Sequence, residues 1–116
     1  MISDYLDVSA EPSGTVGFLL RLYIHNPMGE AVLADWSILL PSGIIECAHK
    51  RKILTGSNSV ASGQRVEAGA WPITVSSPRI FEHREVRIRA SLRLESNRFV
   101  HEEVWITLER LVEGRP

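Results

Sequence analysis

Residues 86–94 and 100–108 are two stretches in which apolar and polar side chains alternate, separated only by a short polar connection. Val86, Ile88, Ala90, Leu92 and Leu94 form one apolar row, and Val100, Val104, Ile106 and Leu108 form another. A period of two sends successive side chains to opposite faces, so each stretch reads as a strand with one face in a core. The short connection makes them antiparallel neighbours. A loop of Ser96, Asn97 and Arg98 sets Glu95 opposite Phe99 and pairs Leu94 with Val100, Ala90 with Val104, Ile88 with Ile106 and Val86 with Leu108. A slip of one residue would set Arg87 and Arg89 among the aliphatic groups, which burial forbids. Asn97 supplies the bend, because asparagine tolerates the left-handed backbone that such loops use. Glu102 is the misfit of the inner row, and it is expected near the open end of the hairpin, where its carboxylate reaches water.

The same period recurs upstream. Val16, Phe18, Leu20, Leu22 and Ile24 share one parity, and Asn26-Pro27-Met28-Gly29 stops that strand. Val32, Ala34, Trp36, Ile38 and Leu40 share another, ended by Pro41-Ser42-Gly43. Residues 44–48 make a short strand and 2–8 a weaker one. The Gly, Ser and Asn content of 55–64 predicts a mobile loop. Arg65-Val66-Glu67 is punctuated by Ala68-Gly69, and residues 71–75 read as an edge strand because Pro72 has no N–H to donate. Residues 77–85 form an irregular crossover, the only place where a helical turn is conceivable. About seven to eight short strands result, the spacing of an all-β, antiparallel two-sheet sandwich of immunoglobulin-like type. One domain over residues 1–116 is expected, standing alone or cut from a larger protein.

Composition narrows the function classes. With 116 residues, 44% of them hydrophobic and 23% charged, the chain can bury a core without disulfide or structural metal. Thirteen basic and fourteen acidic residues leave a net charge of −1, so no global field draws it to nucleic acid or an anionic membrane. Acidic residues near Met1, where a signal peptide needs basic ones, and the absence of a long apolar run argue against a signal peptide or membrane span. Cys47 is the only cysteine, which excludes an internal disulfide and points to a reducing, cytoplasmic setting.

Chemistry-bearing motifs are sparse. Cys47 and His49 would project together from a strand, with His25, His83 or His101 to complete a metal site, but zinc sites use two close ligand pairs and here there is one. A buried free cysteine beside a surface histidine is the plainer reading, and no metal or other cofactor is expected. No nucleophile elbow, phosphate loop, dinucleotide fingerprint or paired metalloprotease histidines occur, so an enzyme is not expected. His49, Lys50, Arg51 and Lys52 followed by a flexible loop would contact phosphates, yet no aromatic is interleaved for base stacking. A strand end kept soluble by charge is the commoner arrangement. In the hairpin, the outer row sets Arg87, Arg89 and Arg93 opposite Thr107, Trp105 and His101, with Glu103 opposite Ser91 and Arg89 placed to stack on Trp105. Arginine beside an aromatic is typical of protein interfaces, whereas a solvated face with arginines paired to Glu85, Glu103 and Glu109 is the ordinary alternative. Trp71 at the expected edge is either a docking residue or one that packs inward.

The runs Leu20 to Pro27 and Ala34 to Gly43 resemble the B and C strands of bacterial immunoglobulin-like accessory domains of the CARDB type. Val66 to Ile73 is similar to their glycine-then-strand opening, with Ala68 where proline is usual. The resemblance implies a sandwich that binds or spaces and supplies no catalytic residue. Trp36 stands where such folds keep a core tryptophan, although the cysteines of antibody domains are missing. The reading is a non-catalytic module that binds another protein or a second copy, a homodimer being one form, through Arg87, Arg89, Arg93, His101, Trp105 and Trp71. The alternative is recognition of carbohydrate or nucleic acid through the basic segment and loop, residues 49–64.

Overall fold

The structure is a computed structural model that describes residues 5–12, 17–41, 43–75 and 85–107. It contains eight strands among the described residues: β1 (Leu6–Pro12), β2 (Gly17–His25), β3 (Val32–Leu39), β4 (Ile44–Glu46), β5 (Ile53–Val60), β6 (Arg65–Val75), β7 (Glu85–Leu94) and β8 (Phe99–Thr107). They form two antiparallel four-stranded sheets, β1-β2-β6-β4 and β5-β3-β7-β8. The described residues include no helix long and apolar enough to cross a membrane.

The all-β sandwich follows from the alternation. Phe18, Leu20, Leu22 and Ile24 of the first sheet and Ala34, Trp36, Ile38, Val86, Ile88, Ala90 and Leu92 of the second are all buried in one cluster between the layers. Each fully buried aliphatic side chain contributes roughly 1.5–3 kcal/mol relative to exposure. Asn26 is buried with them and is fully used: its Nδ2 donates to Glu30 O (2.8 Å) and Val60 O (3.0 Å), and its Oδ1 accepts from Met28 N–H (2.9 Å). This side chain folds the β2–β3 turn back onto the end of β5, which is why a buried amide stabilises rather than costs here.

Four expectations need correction. The first concerns residues 55–64, which are not a loop: β5 runs through most of them and pairs with β3 over eight positions without a break. Gly56 lies opposite Trp36, and a Cβ there would stand 2.4 Å from Trp36 Cζ2, so glycine makes room for the indole. Asn58 accepts the indole Nε1–H at 2.8 Å, and Ser57 hydrogen-bonds Asp35. Secondly, residues 71–75 are not a separate edge strand: they are the end of an eleven-residue β6, and Ile73 to Val75 lie between β2 and β4. Ala68 is a bulge, since Leu22 pairs with Gly69 and Tyr23 with Glu67. Pro72 is tolerated because β4 ends there: Cys47 N–H donates to Pro72 O at 2.8 Å and the ladder stops.

The third correction is the hairpin register. The apolar parity is as expected, but the pairs are Val86 with Ile106, Ile88 with Val104, Ala90 with Glu102 and Leu92 with Val100, two positions away from the predicted partners. The loop is Glu95-Ser96-Asn97, closed by Leu94 N–H to Arg98 O (2.8 Å) and Asn97 N–H to Leu94 O (2.9 Å). Asn97 has φ 65°, and in three-residue hairpin loops the left-handed residue is the last one. That requirement, which alternation does not carry, moves the loop back by one residue. Fourthly, Glu102 is half-buried in the middle of β8 opposite Ala90, not at the open end, and reaches water around the sheet edge. Leu108, Glu109 and residues 77–84 of the expected crossover lie outside the described residues, as do residues 2–4 of the first expected strand.

Candidate protein-binding face

The outer surface of the second sheet is built from the odd-numbered residues of β3, β5, β7 and β8, which alternation turns away from the core. Registers arrange them in cross-strand rows. At one end stand Ile53, Leu39, Arg87 and Trp105, and at the other Ser59, Leu33, Arg93 and Phe99. Between them lie Thr55, Ser37, Arg89 and Glu103, then Ser57, Asp35, Ser91 and His101. Trp105 and Phe99 are 53% and 58% exposed, so each end of the face carries an aromatic in water beside an arginine. The Arg87 guanidinium sits 4.9 Å from the Trp105 ring centroid, and Phe99 stacks on His101 at 6.2 Å.

The predicted set is therefore only partly assembled. Arg87, Arg89, Arg93, His101 and Trp105 do share one face, but Arg87 rather than Arg89 meets Trp105. Arg89 Nε instead bonds Glu103 at 3.0 Å, and His101 Nδ1 lies 2.9 Å from Ser91 Oγ. Arg93 faces Phe99, and among the described residues it has no ion pair. Trp71 does not belong to this face. It packs between the sheets, its ring 5.3 Å from that of Trp36, which is the inward alternative. Two shallow depressions of about 330 and 230 Å³ flank β7, floored by Ser37 and Ser91 on one side and by Ser91 and Ala90 on the other. Phe99 was overlooked because the expected register set it opposite Glu95 rather than Arg93, although its parity with His101 and Trp105 marks it as outward.

The basic segment is organised differently. Glu46, fully buried, accepts from Ala48 N–H (2.5 Å), His49 N–H (3.1 Å) and Arg51 Nε (3.0 Å), and the 47–52 turn wraps around it. Burial pushes this carboxyl up, but the hydrogen bonds from Arg51, Ala48 and His49 and the Arg51 charge outweigh it, leaving its pKa below the ordinary carboxylate value. The stability it contributes is thus present above about pH 4.3 and is lost as pH falls through its lowered pKa. Arg51 is engaged by this carboxylate, so the run is not four free cations. Cys47 is exposed rather than buried, with Sγ 2.5 Å from Thr74 Oγ1. No three His, Cys, Asp or Glu side chains are gathered for a metal among the described residues. At the other end of the sandwich, Glu30 ties the hairpin tip to the β2–β3 turn: its Oε1 accepts from Ser96 N–H (2.9 Å) and Ser96 Oγ (3.0 Å), which hold its pKa down.

Fold and face together define an open two-sheet β-sandwich, and no protein-family model and no curated protein sequence matches the chain. The CARDB likeness accordingly reduces to shared sandwich architecture. Among solved structures the fold is similar to the E. coli curli protein CsgC, with a TM-score of 0.51 at 9% identity over 87% of this chain and 97% of that one. It is also similar to R. palustris CsgH, with a TM-score of 0.50 at 16% identity over 92% and 94% of the two chains. The likeness to a curli protein points away from the cytoplasmic expectation, which is withdrawn. A lone cysteine excludes an internal disulfide but is compatible with either compartment, so the inference from Cys47 was too strong.

Proposed function

We propose that this sandwich is a non-catalytic accessory domain that binds another protein through the outer face of its second sheet. The observation that carries the reading is the pair of exposed aromatics, Trp105 and Phe99, each facing an arginine at opposite ends of one flat surface. Arg87 and Arg93 stand about 20 Å apart along β7, a span that suits two anchor points of one partner. Between the two ends, Ser37, Thr55, Ser57 and Ser91 offer hydroxyls to a partner beside the Arg89–Glu103 pair, Asp35 and His101, so the middle of the face is polar and the aromatics stand only at its ends. Arginine and aromatic side chains are the types that dominate interface energetics. Arg93, with no carboxylate partner among the described residues, calls for an acidic group on the partner. The likeness to the curli protein CsgC supports an accessory role of this kind and a place of action outside the cytoplasm.

A photo-crosslinking residue at Arg93 tests the face against one at Ser9 on the opposite sheet. The expected result, in extracts of the native source, is an adduct of defined mass from position 93 that disappears on Trp105→Ala and has no counterpart from position 9. Equal adducts from both positions, or an adduct of twice the chain mass, would sink the proposal. The second of these would reassign the face to self-association.

A further inference from the structure

A sheet edge exposes a row of unpaired N–H and C=O groups, and proteins guard such edges with charge, proline, bulges or shortness. β1 carries Asp7 and Glu11, and β4 is only three residues long. The stretch of β6 left uncovered by β4 contains Arg65, Glu67 and the Ala68 bulge, while β8 carries His101, Glu102 and Glu103. β5 is different. Its sequence, Ile-Leu-Thr-Gly-Ser-Asn-Ser-Val, has no charge and no proline, and its eight-residue register is unbroken.

Which of its backbone groups face outward follows from one hydrogen bond. Leu40 N–H donates to Lys52 O at 2.8 Å, so Lys52, Leu54, Gly56, Asn58 and Val60 point their backbone groups at β3. Ile53, Thr55, Ser57 and Ser59 then present theirs to the open side. Beneath that side the other sheet is incomplete, because β4 covers only Ile73 to Val75 of β6. Val66, Ala68 and Trp71 are consequently only partly buried. At the start of the strand Lys50 and Lys52 are exposed, and among the described residues neither is in an ion pair.

We propose that β5 is a second docking site, at which an extended segment of another polypeptide adds antiparallel as a fifth strand of the second sheet. The segment alternates, its apolar side chains turning inward beside the indoles of Trp36 and Trp71, and its C-terminal end carries carboxylates that meet Lys50 and Lys52. Main-chain bonds supply the attachment, and the apolar alternation and acidic end supply selectivity. The site uses outward backbone groups at the rim, whereas the arginines and aromatics of the first face stand on the broad surface along β7 and β8; the two have only the outer side chains of β5 in common.

The test is amide hydrogen exchange by NMR on the full chain with the peptide acetyl-Thr-Val-Thr-Val-Thr-Val-Glu-Glu-amide. The amides of Ile53, Thr55, Ser57 and Ser59 should exchange roughly tenfold more slowly when the peptide is bound, while those of Leu54, Gly56 and Asn58 stay as they were. A peptide ending in Lys-Lys should give no protection. Ser57→Pro, which removes an outward N–H, should abolish the effect, with Thr55→Lys as the second variant if the proline prevents folding. Trp105→Ala should retain it, so that failure of the edge and failure of the face are read separately. Absent or non-alternating protection overturns the proposal. So does protection that appears without peptide, as the chain is concentrated and its mass doubles, since a second copy would then be the occupant.

Discussion

β5 and β8 are the two edges of one sheet, yet they are finished in opposite ways. β8 turns Glu102 inward, opposite Ala90, on a row that otherwise holds Val100, Val104 and Ile106. An inward carboxylate at an edge penalises any strand that would slide over it, because the charge would lose its water. On β5 the corresponding inward positions are Leu54, Gly56, Asn58 and Val60, and the tightest of them is filled by an indole from the neighbouring strand. The difference teaches that edge chemistry is set strand by strand: the flank bearing Trp105 carries an inward carboxylate that disfavours an added strand, while the opposite flank carries no charge on its inward row.

The largest effect is expected where that packing is broken. Trp36→Ala removes a buried indole that reaches Gly56, Asn58 and Trp71, and should cost about 3–5 kcal/mol. Gly56→Ala places a Cβ 2.4 Å from Trp36 Cζ2, and should cost about 1–3 kcal/mol by overpacking. Urea denaturation of the two single variants and the double variant separates these terms. In the Trp36→Ala background, Gly56→Ala should be close to neutral, because the atom it collides with is gone. Full additivity would mean that Gly56 serves some purpose other than admitting the indole, and the account of β5 would have to be rewritten.

The same pair of residues explains what was legible beforehand. β2, β3, β7 and β8 were readable from the chain itself because the period of two is local: Val32, Ala34, Trp36 and Ile38 announce their burial without reference to any partner. β5 was not, since Gly56, Ser57 and Asn58 look like loop residues until Trp36 and Asp35 are set opposite them. Pro72 misled for a related reason, its missing N–H falling where β4 turns away and no donor is needed. In the hairpin, alternation decided which side chains point outward but left the pairing open by two residues, and the left-handed Asn97 decided it. The arginines of the candidate face were therefore found, and their partners were not.

Glu102→Val sharpens the contrast between the edges. Replacing a half-buried carboxylate on an aliphatic row should stabilise the folded chain by about 1 kcal/mol, as seen in the denaturation midpoint. It should also unguard β8, so that sedimentation detects concentration-dependent dimers that the parent chain does not form under the same conditions. A variant that stays monomeric and gains no stability would remove the assigned role of Glu102.

The smallest effect bears on the face itself. Arg87→Ala and Trp105→Ala, combined in a double-mutant cycle, should report a coupling of about 0.5–1 kcal/mol, the range for an exposed cation over an indole. The cycle of Arg89→Ala with Trp105→Ala should give nearly none, because Arg89 is directed at Glu103 instead. The comparison discriminates between registers as well as between residues, since a hairpin displaced by two positions would set Arg89 across from Trp105. Coupling at Arg89 rather than Arg87 would therefore also part Arg93 from Phe99, and the two arginine–aromatic ends that define the face would no longer exist.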